Sequence, residues 1–207
     1  MSKVERYRQL YGRRRDNLLE LVLPAGAAFD RAKDSGKLSD GDLRVIVDAA
    51  GHKRLLVAMN AVELLEVMSE RWPGEISRAI VELFSNTKAH ARFAAICALT
   101  KYTDDEVVRD VLKGGLKDKS ANVRWKAADL CLRLEWRDLI PQVEEALAVE
   151  KNARSRKSIE FDLRLLRDGY VRRDYEDGTI SLTVRTARGT AGRLIRAGEL
   201  EEKESMR

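Results

Sequence analysis

A repeat of 32 residues constrains this chain more than any other feature. Ala89, Arg92 and Phe93 recur as Ala121, Arg124 and Trp125, then as Ala153, Arg156 and Lys157, with no insertion between copies. A second set keeps the register. Ile76, Ala79, Ile80, Leu83 and Phe84 align with Val108, Val111, Leu112, Gly115 and Leu116, then with Ile140, Val143, Glu144, Leu147 and Ala148. Both sets space apolar residues at i, i+3, i+4 and i+7, one face of a helix. Each unit is therefore expected to be a helical hairpin. A lone hairpin cannot bury its own apolar side, so the units must stack.

The joints carry helix-start chemistry. Thr103, Asp104 and Asp105 precede a helix at Val107, Asp138 precedes Leu139 to Pro141, and Pro73 stands before a helix at Glu75. Acidic and hydroxyl side chains at these places accept bonds from first-turn amides, and proline is tolerated there because its absent N–H costs nothing. Shifting Ala94, Ile96 and Leu99 back by 32 reaches Val62, Leu64 and Val67, which predicts a further helix near 53–70. Upstream the register is lost. One helix over 3–29 is expected, cut around Pro24 and Gly26, with Leu10, Leu18, Leu21 and Val22 turned inward. A loop over 30–41 and a short helix over Leu43–Ala50, ended by Gly51, follow. After Gly169 the period stops. Asp177 and Gly178 sit between Tyr170–Tyr175 and the alternating Ile180, Leu182 and Val184, a hairpin pattern with the turn that matches strand twist. Residues 188–192 are expected as a loop and 193–207 as a polar tail with some helix. The hairpin should pack on the last helical unit, because two strands alone are marginal.

The run Leu116, Lys117, Asp118, followed by Val123, Arg124, Ala127, Ala128 and Leu130, resembles HEAT repeats of the short bacterial kind. In that family an Asp at a turn precedes by six residues an Arg that opens the next helix. Asp118 with Arg124 keeps that spacing, and Asn86 with Arg92 and Glu150 with Arg156 keep it more loosely. The likeness covers about 72–168. It implies an armadillo-type α-solenoid that serves as a binding scaffold, and it brings no catalytic residues. The expected class is thus all-α: a divergent N-terminal helical cap over 1–52, HEAT-like hairpins over 53–169, and a small β-hairpin with a basic tail over 170–207.

Composition narrows the function. The chain has 207 residues, 39 basic and 34 acidic, and a net charge of +5. Leu, Val, Ile, Ala and Met recur throughout, which excludes full disorder, and two cysteines make no disulfide framework. No run approaches the 18 or so apolar residues of a membrane span, and Glu20 splits the apolar run behind Arg13, Arg14 and Arg15, so a cytoplasmic protein is expected. A nucleic-acid groove would need a basic stripe along successive second helices. The column through Arg109 reads Ser77, Arg109, Pro141, and that through Lys113 reads Val81, Lys113, Glu145; no stripe persists. Residues 151–207 hold 14 basic and 10 acidic side chains, against 9 and 11 in 101–150. The candidate partner-binding residues are Arg109, Lys113, Trp136, Arg137, Arg172 and Arg173.

Catalytic patterns are weak. His52 and His90 stand 38 apart, Cys97 and Cys131 lie on the apolar side of successive helices, and Asp34 to Asp42 lacks the ligand alternation of a calcium loop. The segment Gly189–Gly192 is too short a signal for a phosphate site. Arg92, Arg124 and Arg156 are expected to pair with the side chain six residues earlier or with a neighbouring repeat. No metal and no cofactor is expected, and no enzyme activity. The expected task is protein binding through a second-helix face. Alternatives are a nucleic-acid-binding or alkylpurine-glycosylase-like repair protein, or an immunity protein that blocks a toxin.

Overall fold

A computed structural model describes residues 1–14, 16–99, 105–186 and 189–195. The helices are α1 (Lys3–Tyr11), α2 (Leu18–Ser35), α3 (Asp40–Ala50), α4 (Leu55–Met68), α5 (Pro73–Phe84), α6 (Ala89–Cys97), α7 (Asp105–Leu116), α8 (Ala121–Arg133), α9 (Ile140–Val149) and α10 (Ala153–Asp168). A 3-10 turn, Arg137–Leu139, precedes α9. Strands β1 (Tyr170–Asp174), β2 (Ile180–Thr186) and β3 (Gly189–Ile195) form one antiparallel sheet in that order. The fold is mostly helical. The chain divides into two compact units, Met1–Ala127 and Ala128–Arg207.

In the first unit the amino end departs from its sequence expectation. Two helices stand where one was expected, and Pro24 lies inside α2 rather than at a break. A helical proline leaves the carbonyl four residues earlier without its donor. That residue is Glu20, exposed as Pro24 is, so water can serve its carbonyl. Helix α2 continues to Ser35, through the first half of the expected loop. Leu18 and Val22 are buried with Tyr7 and Val57, and Leu21 packs beside them, but Leu10 is 55% exposed. Helix α1 is fixed at its start twice over. Ser2 and Glu5 form a reciprocal cap, and the Asp30 carboxylate of α2 accepts from the Lys3 and Val4 amides at 2.9 and 3.1 Å.

Helices α3, α5 and α7 neighbour one another in that order, and α4 neighbours α6. The expected 32-residue register holds between α6 and α8 but becomes 34 between α4 and α6. Val57, Ala58, Ala61, Val62, Leu64 and Leu65 are buried, as are Ala91, Arg92, Ala95, Ile96, Ala98 and Leu99, whereas Val67 is 47% exposed. The turns agree with this offset. The amide at 54 donates to His52 Nδ1 at 3.1 Å, as that at 88 donates to Asn86 Oδ1 at 2.9 Å and that at 120 to Asp118 Oδ1 at 2.7 Å. Helix α7 approaches its neighbours closely because it lacks two side chains. A Cβ at Gly114 would stand 2.7 Å from the Phe84 ring, and one at Gly115 would stand 2.7 Å from Ile96 and 3.0 Å from Ala127. Thr103 and Asp104, expected to start α7, lie outside the described residues.

In the second unit the inward face of α9 is rotated from the aligned positions. Leu139, Val143, Ala146 and Glu150 are buried, while Glu144 and Ala148 are exposed and Ile140 and Leu147 half-buried. The inward face is offset by one residue toward the amino end, and α9 follows directly on the 3-10 turn. Asp138 belongs to that turn and does not cap α9, whose N-cap is Leu139 without a side-chain bond. Helix α8 ends in a left-handed residue, Glu135 (φ 60°), with the Trp136 amide donating back to Cys131 O at 3.0 Å.

The expected hairpin is a three-stranded sheet. Residues 189–195, expected as loop and tail, pair with β2 from Ile180↔Ile195 to Thr186↔Gly189. Gly189 and Gly192 hid this strand from the sequence, since glycine is depleted in strands. The turn also differs: only Gly178 has a positive φ (78°), and its amide donates to Tyr175 O at 3.0 Å, which makes a type I turn closed by a left-handed glycine. The sheet packs on α10 through β1, as expected. Val171 is buried and the Arg173 guanidinium lies 5.6 Å from the Phe161 ring centre.

Candidate functional site

The candidate face is built by α3, α5 and α7 in the first unit. Each helix turns a regular apolar stripe inward: Ile46, Val47 and Ala50 on α3, Ile76, Ala79, Ile80 and Leu83 on α5, Val108, Val111, Leu112 and Leu116 on α7. The opposite sides face water, and two grooves run between them. The groove between α3 and α5 has a volume of about 580 Å³, with Leu43, Val47 and Ala79 at its base and Asp40, Arg44, Glu75, Arg78 and Glu82 on its walls. Arg44 and Glu82 form an ion pair from one wall to the other, both well exposed. Arg78 reaches only the Gly74 carbonyl of its own helix, at 3.4 Å, among the bonds of the described residues. The groove between α5 and α7 has a volume of about 320 Å³ and is lined by Val81, Phe84, Val107 and Val111, with Glu106 and Asp110 at its rim.

The charge of this layer opposes that of the chain. Helices α3, α5 and α7 hold Asp40, Asp42, Asp48, Glu75, Glu82, Asp105, Glu106 and Asp110 against Arg44, Arg78, Arg109 and Lys113, a net −4, while the whole chain carries +5. Arg109 and Lys113 share one side of α7 a turn apart, as their spacing requires, but they sit amid acids and line neither groove. Among the described residues the three acids of α7 outnumber them.

The other four predicted residues belong to the second unit. Trp136 closes the end of α8 through its amide and is half-buried, and Arg137, exposed, opens the 3-10 turn. Arg172 and Arg173 are adjacent on one strand, so they point to opposite faces of the sheet. Arg172 holds Asp174 at 2.9 and 2.7 Å, and Arg173 covers Phe161. These two do not make one surface. Arg188 and Arg196, counted in the same basic excess, lie outside the described residues.

The arginine ladder is engaged in stacking. Arg92 donates from Nε and Nη2 to both oxygens of Asp118 (2.5 and 2.9 Å) and from Nη1 to the carbonyls of Asn86 (2.9 Å) and Thr87 (2.8 Å). Its side chain is 9% exposed and that of Asp118 6%. Arg124 donates to the Asp118 carbonyl at 2.6 Å. Each arginine thus holds the turn six residues back, and Arg92 also crosses to the acid of the following repeat. Arg156, the last in the series, is exposed. Burial alone would raise the Asp118 carboxyl, but the Arg92 and Ser120 donors and the charges of Arg92 and Lys119 outweigh it and hold the carboxyl below its ordinary value. Phe93 and Trp125, one repeat apart, stack with ring centres 6.5 Å apart. Cys131 is fully buried, and burial first, then Asp138 and Asp162, push its thiol up to about 12. Among the described residues no group of three or more His, Cys, Asp or Glu is placed to hold a metal ion, and no helix is long and apolar enough to cross a membrane.

The expectation of a binding face on the second-helix side did not include what shapes that surface. The signal was present in Val81, Phe84 and Val107. Comparing like positions between repeats hides a groove, because a groove is formed by unlike positions of adjacent helices. Comparison with protein-family models, curated proteins and solved structures finds no match to this chain.

Proposed function

We propose that the chain is a non-enzymatic protein-binding scaffold, a solenoid of HEAT-like hairpins that takes a partner on the outer side of α3, α5 and α7. The observation that carries this reading is the pair of grooves on successive members of one helix row, with apolar bases and charged walls. Such a surface offers the apolar centre and polar rim of a protein interface. Two arginines suited to an anionic ligand are instead occupied within the fold, Arg92 with Asp118 and Arg172 with Asp174.

Affinity capture from native cell extract tests it. The chain with Val81→Arg and Arg78→Glu is compared with the unaltered chain, and with Arg172→Glu as a control on the C-terminal sheet. A partner held by the unaltered chain and by Arg172→Glu, but lost from the groove variant, is the expected result. A partner lost only with Arg172→Glu moves recognition to the sheet. A reproducible hydrolase, lyase or transferase activity that a point mutation abolishes overturns the scaffold reading.

A further inference from the structure

We infer that the groove between α5 and α7 receives an amphipathic protein segment in which a large apolar side chain is flanked by Lys or Arg. This rests on the scaffold reading and gives that surface its ligand chemistry. Among the described residues four apolar side chains line the groove, and they differ in what burial leaves available. Val111 is 3% exposed and forms the base, Phe84 and Val107 are half-buried, and Val81 is 46% exposed on a helix whose other face is fully packed. The Phe84 ring leans on the α7 backbone at Gly114, where a Cβ would stand 2.7 Å away. Any larger residue at 114 would displace that wall.

At about 320 Å³ the groove lies at the low end of small-molecule pockets, about 300–1,000 Å³. It suits one or two side chains of a segment laid across it. Its rim decides the sign of the partner. Among the described residues, Glu106 and Asp110, exposed and one turn apart on α7, are the charged ones that line it, and the row of helices around them is net acidic. A nucleic acid or an anionic membrane would meet like charge. A basic segment is steered inward and can set its cations beside Glu106 and Asp110 while its apolar side chain covers Val81.

A random 12-residue phage-displayed peptide library, panned on the full chain, tests this, with the Val81→Arg chain as counter-selection. The introduced arginine can lie along the groove against the acidic rim and fill it. Because Val81 is half exposed, the variant is expected to keep its thermal melt. The expected result is enrichment of peptides that pair Leu, Ile or Phe with Lys or Arg and are lost on Val81→Arg. A synthetic copy of the leading peptide should bind the Glu106→Lys and Asp110→Lys double variant about tenfold or more weakly, by fluorescence anisotropy. Acidic or uncharged winners, or no winner sensitive to Val81→Arg, overturn the inference. So does self-association of the chain that Val81→Arg abolishes, which would make the groove an interface between copies. A cellular partner lost on Val81→Arg yet indifferent to the double charge reversal removes this inference and leaves the scaffold reading standing.

Discussion

Asp118 ties two successive turns of the repeats together. Its two oxygens take Arg92 and the Ser120 amide, and its carbonyl takes Arg124. Truncating one side of a buried ion pair leaves the other charge without compensation, which costs about 3–5 kcal/mol. Asp118→Ala should lose that much in a urea titration. A denaturation midpoint within experimental error of the parent would show that the pair is dispensable. The pH dependence has a definite sign. A carboxyl held below its ordinary value in the folded state contributes stability that is complete above the unfolded value, about 4, and lost as pH falls through the lower folded value. Asp118→Asn should flatten that acid limb. Glu135 offers the opposite case. It holds a left-handed backbone (φ 60°) and an ion pair to Arg185 in which its own side chain is 66% exposed. The pair is open to water on the Glu135 side, though Arg185 is only 14% exposed, so it contributes modestly, and glycine removes about 1 kcal/mol of backbone strain. Glu135→Gly is expected to raise the melting temperature by a few degrees, and a fall would show that the pair to β2 matters more than the turn.

At the scale of elements, two helices make contrasting predictions. Helix α7 packs through Gly115, where a methyl group would press on Ile96 and Ala127. Alanine gains about 1 kcal/mol in helix propensity, yet overpacking costs about 1–3 kcal/mol. Because Ala127 belongs to a helix that cannot easily yield, Gly115→Ala should destabilise, and a stabilised variant in thermal melts would mean that the helices separate freely. Helix α8 carries Cys131 in its apolar side. A thiol raised to about 12 and sealed from solvent holds almost no thiolate at pH 8. Iodoacetamide should therefore modify half-buried Cys97 first and reach Cys131 only as the second unit opens, an order that peptide mass mapping reads directly. Equal rates would contradict the burial of α8.

For the whole molecule, the decisive quantity is where its charge lies. A net +5 suggests a basic protein, but the α3, α5, α7 row is net −4, so the positive excess stands elsewhere. Titration with a duplex of about 20 base pairs at low salt should find Arg109→Glu with Lys113→Glu indistinguishable from the parent chain, since any contact there would release counterions and depend steeply on salt. Weakened binding in that variant would restore the nucleic-acid reading. The 3.6-residue period, the repeat of Arg92 and Arg124, and the Pro73 and Pro141 starts were enough to place most helices, because these are local properties of backbone and solvent. Offsets and angles were not. The step of 34 between α4 and α6 follows from which residues meet the core, and the inward face of α9 is offset by one residue after a 3-10 turn that no composition announces. The strand at 189–195 became visible only when β2 offered it a partner. By itself the sequence determined that helices form, and which face of most of them is apolar. Only tertiary structure decided that Arg92 answers Asp118, that Arg172 and Arg173 part company, and that Val81, Phe84 and Val107 share a groove. Hydrophobic period is written within one helix, whereas a groove exists only between two.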